Sequence, residues 1–513
     1  MTATDPNGSA PAATELRAAA ARGVGWSALQ TSASRLLSAV VFVLLARLLE
    51  PDAFGVVAVA SVFVAFMTVL VDQGFSQALV QRPSLDREHL DTAFWANLAA
   101  SAVVVALVVG AAGPVADLFD EPDLAPILRA LSLALVASAL GGVPTALLRR
   151  RLAFASLALR GLLSVAAGGV AGVAAALAGF GAWSLVIQLV VQAGVETAVV
   201  WSASDWRPGR SFSWSAAGDL VRFGASVTGT SLVNFLNRRS DDFLIGLVLG
   251  STALGLYMVA YKLLLLMTDV LTRTIEVVAF PVFSRVQDDT RRFVRGFYAA
   301  NRASLAVATP AYLFVAALAP EVVEVAFGPE WSESAPVLRA LAFIGILQAS
   351  LLFNATLVSA AGRPDLALLV TAVNGVANVA GFLLVVSHGI LAVALAYVVV
   401  GYLLAPLSLW SVKKVLPYDL GTYLRLYVPP LVGSAIALGP VLAAEEVLGA
   451  ELAALPRVAI AGALGPLLYA AAYRVLFPAT ASELWSFAVD VLPWRRRRAA
   501  GTVAIPVSAR QEG

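Results

Sequence analysis

Fourteen apolar stretches, each long enough to cross a bilayer, follow one another through the 513 residues with only short polar joints between them. A spanning helix needs about twenty predominantly apolar residues, because each residue advances the chain by only about 1.5 Å. The stretches lie near 24–46, 54–72, 92–114, 126–148, 157–179 and 182–202, then 218–248, 253–280, 296–318, 334–359, 365–387 and 390–411, with a final pair near 424–444 and 456–476. In hydrocarbon every backbone N–H and C=O must be satisfied within the protein, which restricts such stretches to helices. Composition agrees: 59% of residues are hydrophobic and 13% charged, against about 25% charged in a soluble domain. The expected fold is an all-α polytopic membrane protein of about fourteen transmembrane helices. The longest joint is roughly twenty residues, so no soluble domain is inserted.

Orientation follows from the positive charges, since Lys- and Arg-bearing loops stay in the cytoplasm. Counting from a cytoplasmic N-terminus with Arg17 and Arg22, every second joint is basic: Arg82 and Arg87, Arg149 to Arg151 with Arg160, Arg207 and Arg210, Arg285 to Arg295, Arg363, Lys413 and Lys414, and Arg495 to Arg498. Alternate joints are neutral or acidic, as in Asp117 to Asp123 and Glu321 to Glu333; Arg47 and Arg457 are exceptions. The alternation holds only for an even helix count with both termini cytoplasmic. The first twenty or so residues lack the apolar core of a cleavable signal, so the first helix is expected to remain as an anchor in the plasma (inner) membrane.

The chain also repeats itself at an offset near two hundred residues. Ala53-Phe54-Gly55-Val56-Val57-Ala58 returns as Ala253-Leu254-Gly255-Leu256-Tyr257-Met258, and Ala125-Pro126-Ile127-Leu128-Arg129-Ala130-Leu131 as Ala335-Pro336-Val337-Leu338-Arg339-Ala340-Leu341. Phe94-Trp95 is answered by Phe297-Tyr298, and Gly181 by Gly389. Six helices per repeat is an even number, so the halves share one topology and are expected to be related by a pseudo-twofold axis along the membrane normal. The expected organisation is a cytoplasmic tail over 1–22, six-helix bundles over 23–205 and 206–415, two additional helices over 416–478, and a cytoplasmic amphipathic and basic tail over 479–513.

Within the seventh span stands Asn234-Phe235-Leu236-Asn237-Arg238-Arg239-Ser240-Asp241-Asp242. Four unpaired charges at a helix centre would cost about 2.5 to 3.5 kcal/mol each, roughly 10 to 14 together. A helix turns about 100° per residue, so Thr230, Asn234, Arg238 and Asp241 share one face, with Ser231 and Asn237 at its edge. That face either lines a hydrophilic cavity or holds a self-neutralised pair, Arg238 with Asp241 or Asp242. The eighth span carries Lys262, Asp269, Arg273 and Glu276 within about 60° of one another; this stripe is either a cavity wall or a run of internal salt bridges. In the first span Arg35 shares a face with Ser27, Thr31, Ser34 and Ser38. Glu196, Asn354, Asn374 and Asn378 are weaker candidates, Asn being often glue between membrane helices.

Several chemistries are excluded by what is missing. Cysteine is absent, so disulfides, Cys-ligated zinc, iron–sulfur clusters and thiol nucleophiles are ruled out. His89 and His388 are the only histidines and stand far apart, and no metal site is expected. Lys262, Lys413 and Lys414 are the only lysines, none in a phosphate-binding Gly-rich loop, so the chain is no ATP-driven motor.

Four segments resemble one family. Ala46-Arg47-Leu48-Leu49-Glu50-Pro51-Asp52-Ala53-Phe54-Gly55, Asp91-Thr92-Ala93-Phe94-Trp95-Ala96-Asn97, the run from Asn237 to Asp241 leading to Leu254-Gly255-Leu256-Tyr257, and Phe280-Pro281-Val282-Phe283-Ser284-Arg285 are similar to the Wzx-type polysaccharide flippases of the multidrug/oligosaccharidyl-lipid/polysaccharide exporter superfamily. The resemblance covers roughly residues 20 to 415. It implies two six-helix bundles, a central cationic cavity, and passage of an undecaprenyl-pyrophosphate-linked oligosaccharide from the inner to the outer leaflet by alternating access. It also implies a transporter and not an enzyme, with no cofactor beyond a coupling proton or sodium ion and no nucleic-acid partner. A pyrophosphate suits arginine in a low-dielectric cavity, which makes Arg35, Asn234, Asn237, Arg238, Arg239, Lys262 and Arg273 the expected substrate contacts. Asp241, Asp242 and Asp269 are then coupling or counter-ion carboxylates. The pathway's polymerase and glycosyltransferases are the expected protein partners.

Three other readings stay open. A membrane glycosyltransferase or polymerase would need a sizeable external loop, which is lacking. A cation-coupled multidrug exporter would need a mainly acidic, aromatic cavity, and a peptidoglycan-precursor flippase is separated only by the family resemblance. At the C-terminus, Leu484, Trp485, Phe487, Val491 and Trp494 ahead of Arg495 to Arg498 fit either a short helix lying on anionic lipid or a simple topological stop.

Overall fold

The computed structural model describes residues 33–72, 79–80, 86–151, 153–285, 290–448 and 453–491. Among these there is no strand. The helices are α1 (33–48), α2 (Pro51–Asp72), α3 (Arg87–Leu118), α4 (Leu124–Arg150), α5 (Phe154–Leu177), α6 (Trp183–Ala203), α7 (Trp214–Leu249), α8 (Ser251–Arg285) and α9 (Thr290–Ala317). They continue as α10 (Ala319–Ala326), α11 (Ser334–Leu351), α12 (Asn354–Ala360), α13 (Pro364–Val385), α14 (Ile390–Lys413), α15 (Leu420–Arg425), α16 (Val428–Leu448), α17 (Ala454–Leu476) and α18 (Pro478–Val491). Among the described residues, eleven helical segments are long and apolar enough to cross a membrane, or twelve if the bent pair α9 and α10 counts as one span. The all-helical, many-span architecture therefore stands. Of the fourteen stretches expected, that near 24–46 begins outside the described residues, and α7 carries the charges described above.

Breaks between helices fall where backbone chemistry requires them. Pro320, second residue of α10, has no N–H to donate to Ala316 O, which accepts from Arg339 Nε at 3.0 Å instead, and α9 and α10 bend by 83° at the break. Gly362, in the left-handed region at φ 78°, ends α12, and Pro364 opens α13. The repeat-related Gly181 and Gly389 both have positive φ, 53° and 99°, just ahead of α6 and α14. The stretch expected as one span over 334–359 is one candidate span, Ser334–Ala360, made of α11 and α12 with a two-residue turn at Leu352 and Phe353 between them.

The chain forms two compact units. The first comprises residues up to Val259 with Ala326–Trp331 and Gly375–Val393; the second comprises Ala260–Val325, Ser332–Asn374 and the chain from Ala394 onward.

Within the first unit the N-terminal turns of α2 and α8 touch backbone to backbone. A Cβ on Gly55 would lie 1.9 Å from the carbonyl oxygen of Ser251, and one on Gly255 would lie 2.2 Å from that of Pro51. Each glycine sits on its neighbour's first turn, the reciprocal contact that a local twofold between repeat-related segments produces. Polar groups reinforce it: Ser251 Oγ donates to Glu121 at 2.7 Å and Thr252 Oγ1 to Asp52 at 3.0 Å. The inserted segment Ala326–Trp331 locks onto the same end. Trp331 donates its indole N–H to Ala46 O at 2.9 Å and packs edge-on against Phe54, while Arg47 Nε donates to Ala326 O at 3.0 Å.

The repeated aromatic pairs perform parallel tasks in the two units. In the first, Trp95 Nε1 donates to Gly209 O at 2.8 Å, and Asp91, 1% exposed, accepts from Gly209 N at 3.0 Å and Ser211 Oγ at 2.7 Å. Thr92 accepts from Ser213 N, so the Asp-Thr-x-x-Trp motif straps down the joint after α6, with Phe94 packed against Trp201 and Trp206. In the second unit Tyr298 OH donates to Asp419 O at 3.0 Å and accepts from Asp419 N at 2.8 Å, holding the joint after α14, with Phe297 stacked on Tyr423. The amphipathic segment expected near the C-terminus begins in α18, where Glu483 pairs with Arg302; Trp494 and Arg495 to Arg498 lie outside the described residues.

Candidate functional site: the charged segment of α7

Helix α7 is capped by Ser213, whose hydroxyl accepts from Ala216 N, and runs unbroken through the charged segment to Gly250. Both aspartates of that segment are buried, Asp241 to 5% and Asp242 to 3% exposure. Their partners differ. Arg239 Nη1 donates to Asp242 Oδ2 at 2.8 Å across three residues, so the segment neutralises one carboxylate internally. Asp241 Oδ2 accepts from the phenol of Tyr257 on α8 at 2.9 Å.

The sequence pairing of Arg238 with an aspartate is corrected: Arg239 takes that place. Arg238 and Arg239 stand four and three residues before Asp242, both within reach of it on a helix, and it is Arg239 that makes the contact. Arg238 and Asn234 are exposed, with no ion-pair or hydrogen-bond partner among the described residues. The face drawn through Asn234, Arg238 and Asp241 is thereby divided. Its N-terminal part is open, whereas α8 covers its C-terminal part, with Leu254 packed close to Gly246. Asn237 is half-buried beside Gly375 of α13, where an added Cβ would meet its side chain at 3.4 Å.

The other expected contacts are dispersed. Arg35 is half-buried on α1, in the first unit. Lys262 and Asp269 are half-buried on the part of α8 that belongs to the second unit; the side chains of Arg273 and Glu276 lie outside those described. Among the weaker candidates, Asn354 Nδ2 donates to Ser408 Oγ at 3.0 Å and Asn374 bonds Val370 O of its own helix, both structural contacts. Asn378 is buried, its Oδ1 without a partner among the described residues.

Two features escaped the sequence. Tyr257 was visible only as part of the Leu254-Gly255-Leu256-Tyr257 motif, whose repeat counterpart has Val57 in its place; its role depends on how α8 folds back along α7. The second is a polar cavity of about 220 Å³ inside the first unit, lined by Asn97, Thr145, Arg149, Arg160, Glu196 and Thr197 among others. Arg160 pairs with Glu196 and donates to Thr145 Oγ1 at 2.9 Å. Glu196 was singled out only weakly, and Arg160 was read as a topological charge.

Residues 44–336, more than half of the chain, match the family described as "Polysaccharide biosynthesis protein". The chain belongs to this family. The succinoglycan biosynthesis transport protein ExoT of Rhizobium meliloti (strain 1021) is 32% identical over 321 residues, 63% of this chain and 65% of that protein, so the chain spans just under two thirds of its length. The lipopolysaccharide biosynthesis protein WzxC of Escherichia coli (strain K12) is 30% identical, over 65% of this chain and 68% of that one. The teichuronic acid biosynthesis protein TuaB of Bacillus subtilis (strain 168) is 25% identical over 90% of this chain and 96% of its own. The resemblance to Wzx-type flippases read from the four motifs is borne out.

In fold, the chain is similar to a lipid II flippase MurJ in an inward closed conformation, with a TM-score of 0.70, 13% identity, and coverage of 88% of this chain and 99% of that one. A multidrug resistance MATE family transporter of the MOP superfamily, inward-facing, follows at a TM-score of 0.59 and 14% identity, over 75% and 94% of the two chains.

Proposed function

We propose that this member of the polysaccharide biosynthesis protein family moves a polyprenyl-pyrophosphate-linked oligosaccharide from the inner to the outer leaflet of the plasma membrane by alternating access. The observation that carries the reading is the charged segment of α7 in a chain matched to that family. Its acidic groups are buried and satisfied, Asp242 by Arg239 and Asp241 by Tyr257, while Arg238 and Asn234 are left exposed. What α7 offers a ligand is thus cationic and hydrogen-bonding, which suits a pyrophosphate.

In this reading Arg238, Arg239, Asn234, Asn237 and Arg35 receive the head group, with Lys262 and Arg273 continuing the path along α8. Asp241, Asp242 and Asp269 respond to a proton or sodium ion. α1 and α7 complete fourteen spans, arranged as six-helix bundles over 23–205 and 206–415 with two helices after them, both termini cytoplasmic. The protein is a transporter without a cofactor, working beside the polymerase and glycosyltransferases that make and consume its cargo. An apolar cavity of about 450 Å³ in the second unit, lined by Pro310, Phe314, Val322, Val458, Ala461 and Tyr469 among others, suits the prenyl chain.

A second reading, a cation-coupled multidrug exporter, is favoured by the MATE-like fold and the buried aspartates. One experiment separates the two: measuring the lipid-linked saccharide pool in cells lacking the protein, with sidedness probed by an enzyme confined to the outer leaflet. Accumulation in the inner leaflet together with reduced surface polymer supports the flippase. An unchanged pool with new sensitivity to cationic drugs refutes it in favour of the exporter.

A further inference from the structure

The polar cavity inside the first unit is built differently from the charged segment of α7. Its wall on α4 runs from Ala137 to Arg149, about 18 Å at 1.5 Å per residue, so it is an elongated cleft. At one end stands Arg149, exposed and without an ion-pair partner among the described residues. Deeper in, the charge of Arg160 is answered by Glu196, and Arg160 also donates to Thr145 Oγ1. The walls add Thr197 and Asn97. Asn97 is 5% exposed; its Nδ2 donates to Ala139 O at 3.5 Å, and its Oδ1, without a partner among the described residues, has no surface open to the cleft, so the amide shapes the wall and offers nothing to a ligand.

The cleft therefore presents an unmatched cation at its open end and acceptors within: the Glu196 carboxylate and the hydroxyl oxygens of Thr145 and Thr197, whose own O–H groups donate to Gly141 O at 2.7 Å and Ala137 O at 2.8 Å. An inorganic anion would satisfy the first and leave the second unused. A neutral sugar would do the reverse. Its volume of about 220 Å³ gives room for a sugar ring with its phosphate.

We propose that this cleft between α4, α5 and α6 is a subsite for a single phosphorylated sugar, with the phosphate at Arg149 and the ring hydroxyls donating to Glu196, Thr145 and Thr197. It rests on the flippase reading to the extent that the cargo head group is a sugar joined to phosphate. By the positive-inside rule the Arg149 end faces the cytoplasm, where that head group is made. The subsite belongs to the first unit alone and is separate from the charged segment of α7.

The test uses the purified full-length protein in lipid nanodiscs and glucose 1-phosphate as probe, with binding followed by calorimetry and by intrinsic tryptophan fluorescence. Glucose, inorganic phosphate and glycerol 1-phosphate are the comparison ligands. Glucose 1-phosphate is expected to bind at least tenfold more tightly than any of the three. Arg149→Gln changes an exposed residue and leaves packing intact; it should weaken binding about tenfold or more, as expected for a lost hydrogen bond to a charged group, and the isosteric Thr197→Val, which removes one acceptor, several-fold. Arg363→Gln, in the second unit, should leave binding unchanged.

Equal binding of phosphate and glucose 1-phosphate would mean an adventitious ion only, and tighter binding of glycerol 1-phosphate would assign the cleft to a lipid head group. Either outcome overturns the proposal, as does no binding to a wild-type protein that remains folded. The flippase reading fails separately. Cells lacking the protein would then keep a normal lipid-linked pool while sugar-phosphate binding persists; conversely, an accumulating pool without such binding removes the subsite alone.

Discussion

Replacing Gly255 by alanine tests the backbone contact between α2 and α8 most directly. The new Cβ would stand 2.2 Å from Pro51 O and 3.0 Å from Gly55 N, whereas ordinary contact begins near 3.4 Å. The two first turns must separate by about 1.2 Å, and both contact partners are backbone, unable to rotate aside. A gap of 0.5 to 1 Å already forfeits a quarter to a half of each dispersion contact along a seam, and overpacking of this kind costs about 1 to 3 kcal/mol. Alanine recovers up to about 1 kcal/mol of helix propensity, leaving a net loss of about 1 to 2 kcal/mol. Gly110 is the control: it lies in α3, is exposed, and nothing stands within 4 Å of its added Cβ. Gly110→Ala should therefore gain about 0.5 to 1 kcal/mol. Unfolding in mixed micelles by SDS titration, read by tryptophan fluorescence, should place the two variants on opposite sides of wild type. If Gly255→Ala is stabilised as Gly110→Ala is, the backbone contact is not made and the repeat-related seam is wrong.

Four other substitutions check separate parts of the structure. Arg239→Ala leaves the buried Asp242 without its counter-ion; breaking a buried pair costs about 3 to 5 kcal/mol, and because Arg239 is 41% exposed the loss should be nearer 2, with Asp242→Asn in the same chain restoring most of it in a double-mutant cycle. Tyr257→Phe removes the donor to Asp241 and should impair export of the lipid-linked saccharide more than membrane insertion, measured on the same cells. Asp91→Ala deprives Gly209 N and Ser211 Oγ of their acceptor and should cost about 2 to 3 kcal/mol, seen as faster proteolysis of the joint after α6. Asp419 caps α15 by accepting from Thr422 N, and the Thr422 hydrogen bonds hold its carboxyl below the usual carboxylate range. A depressed native pKa means that this contribution is full above the unfolded value of about 3.9 and is lost as the pH falls through the lower native value; Asp419→Ala should therefore flatten the acid limb of the stability profile, while equal acid sensitivity in the variant would refute the cap.

The repeat explains why much of the site's frame was readable. Phe94-Trp95 and Phe297-Tyr298 recur because each pair pins the joint that follows a sixth helix, a task that needs an aromatic ring beside a hydrogen-bonding one. Gly55 and Gly255 recur because no side chain fits where the first turns of α2 and α8 meet. The charged segment was equally visible, since four charges in an apolar span demand partners wherever they fall. The identity of those partners was not visible. Arg238 and Arg239 stand four and three residues before Asp242 and can both reach it, and only the path of α8, which brings Tyr257 to Asp241, decides which face of α7 is covered.

The sequence by itself determined that this chain is a bundle of membrane helices, that it repeats, that its charges sit in α7 and α8, and that it resembles the polysaccharide flippases. These are local properties: hydrophobic length, charge and motif spacing act within one segment and depend little on what packs against it. Tertiary structure alone decided that Arg239 serves Asp242, that Tyr257 serves Asp241, and that Arg160, Glu196, Asn97 and Arg149 enclose one polar cleft. Contacts between residues dozens of positions apart depend on how helices cross, and in an apolar chain almost any crossing satisfies the same hydrophobic pattern. Small residues at the crossing points and the few buried polar groups then select one arrangement.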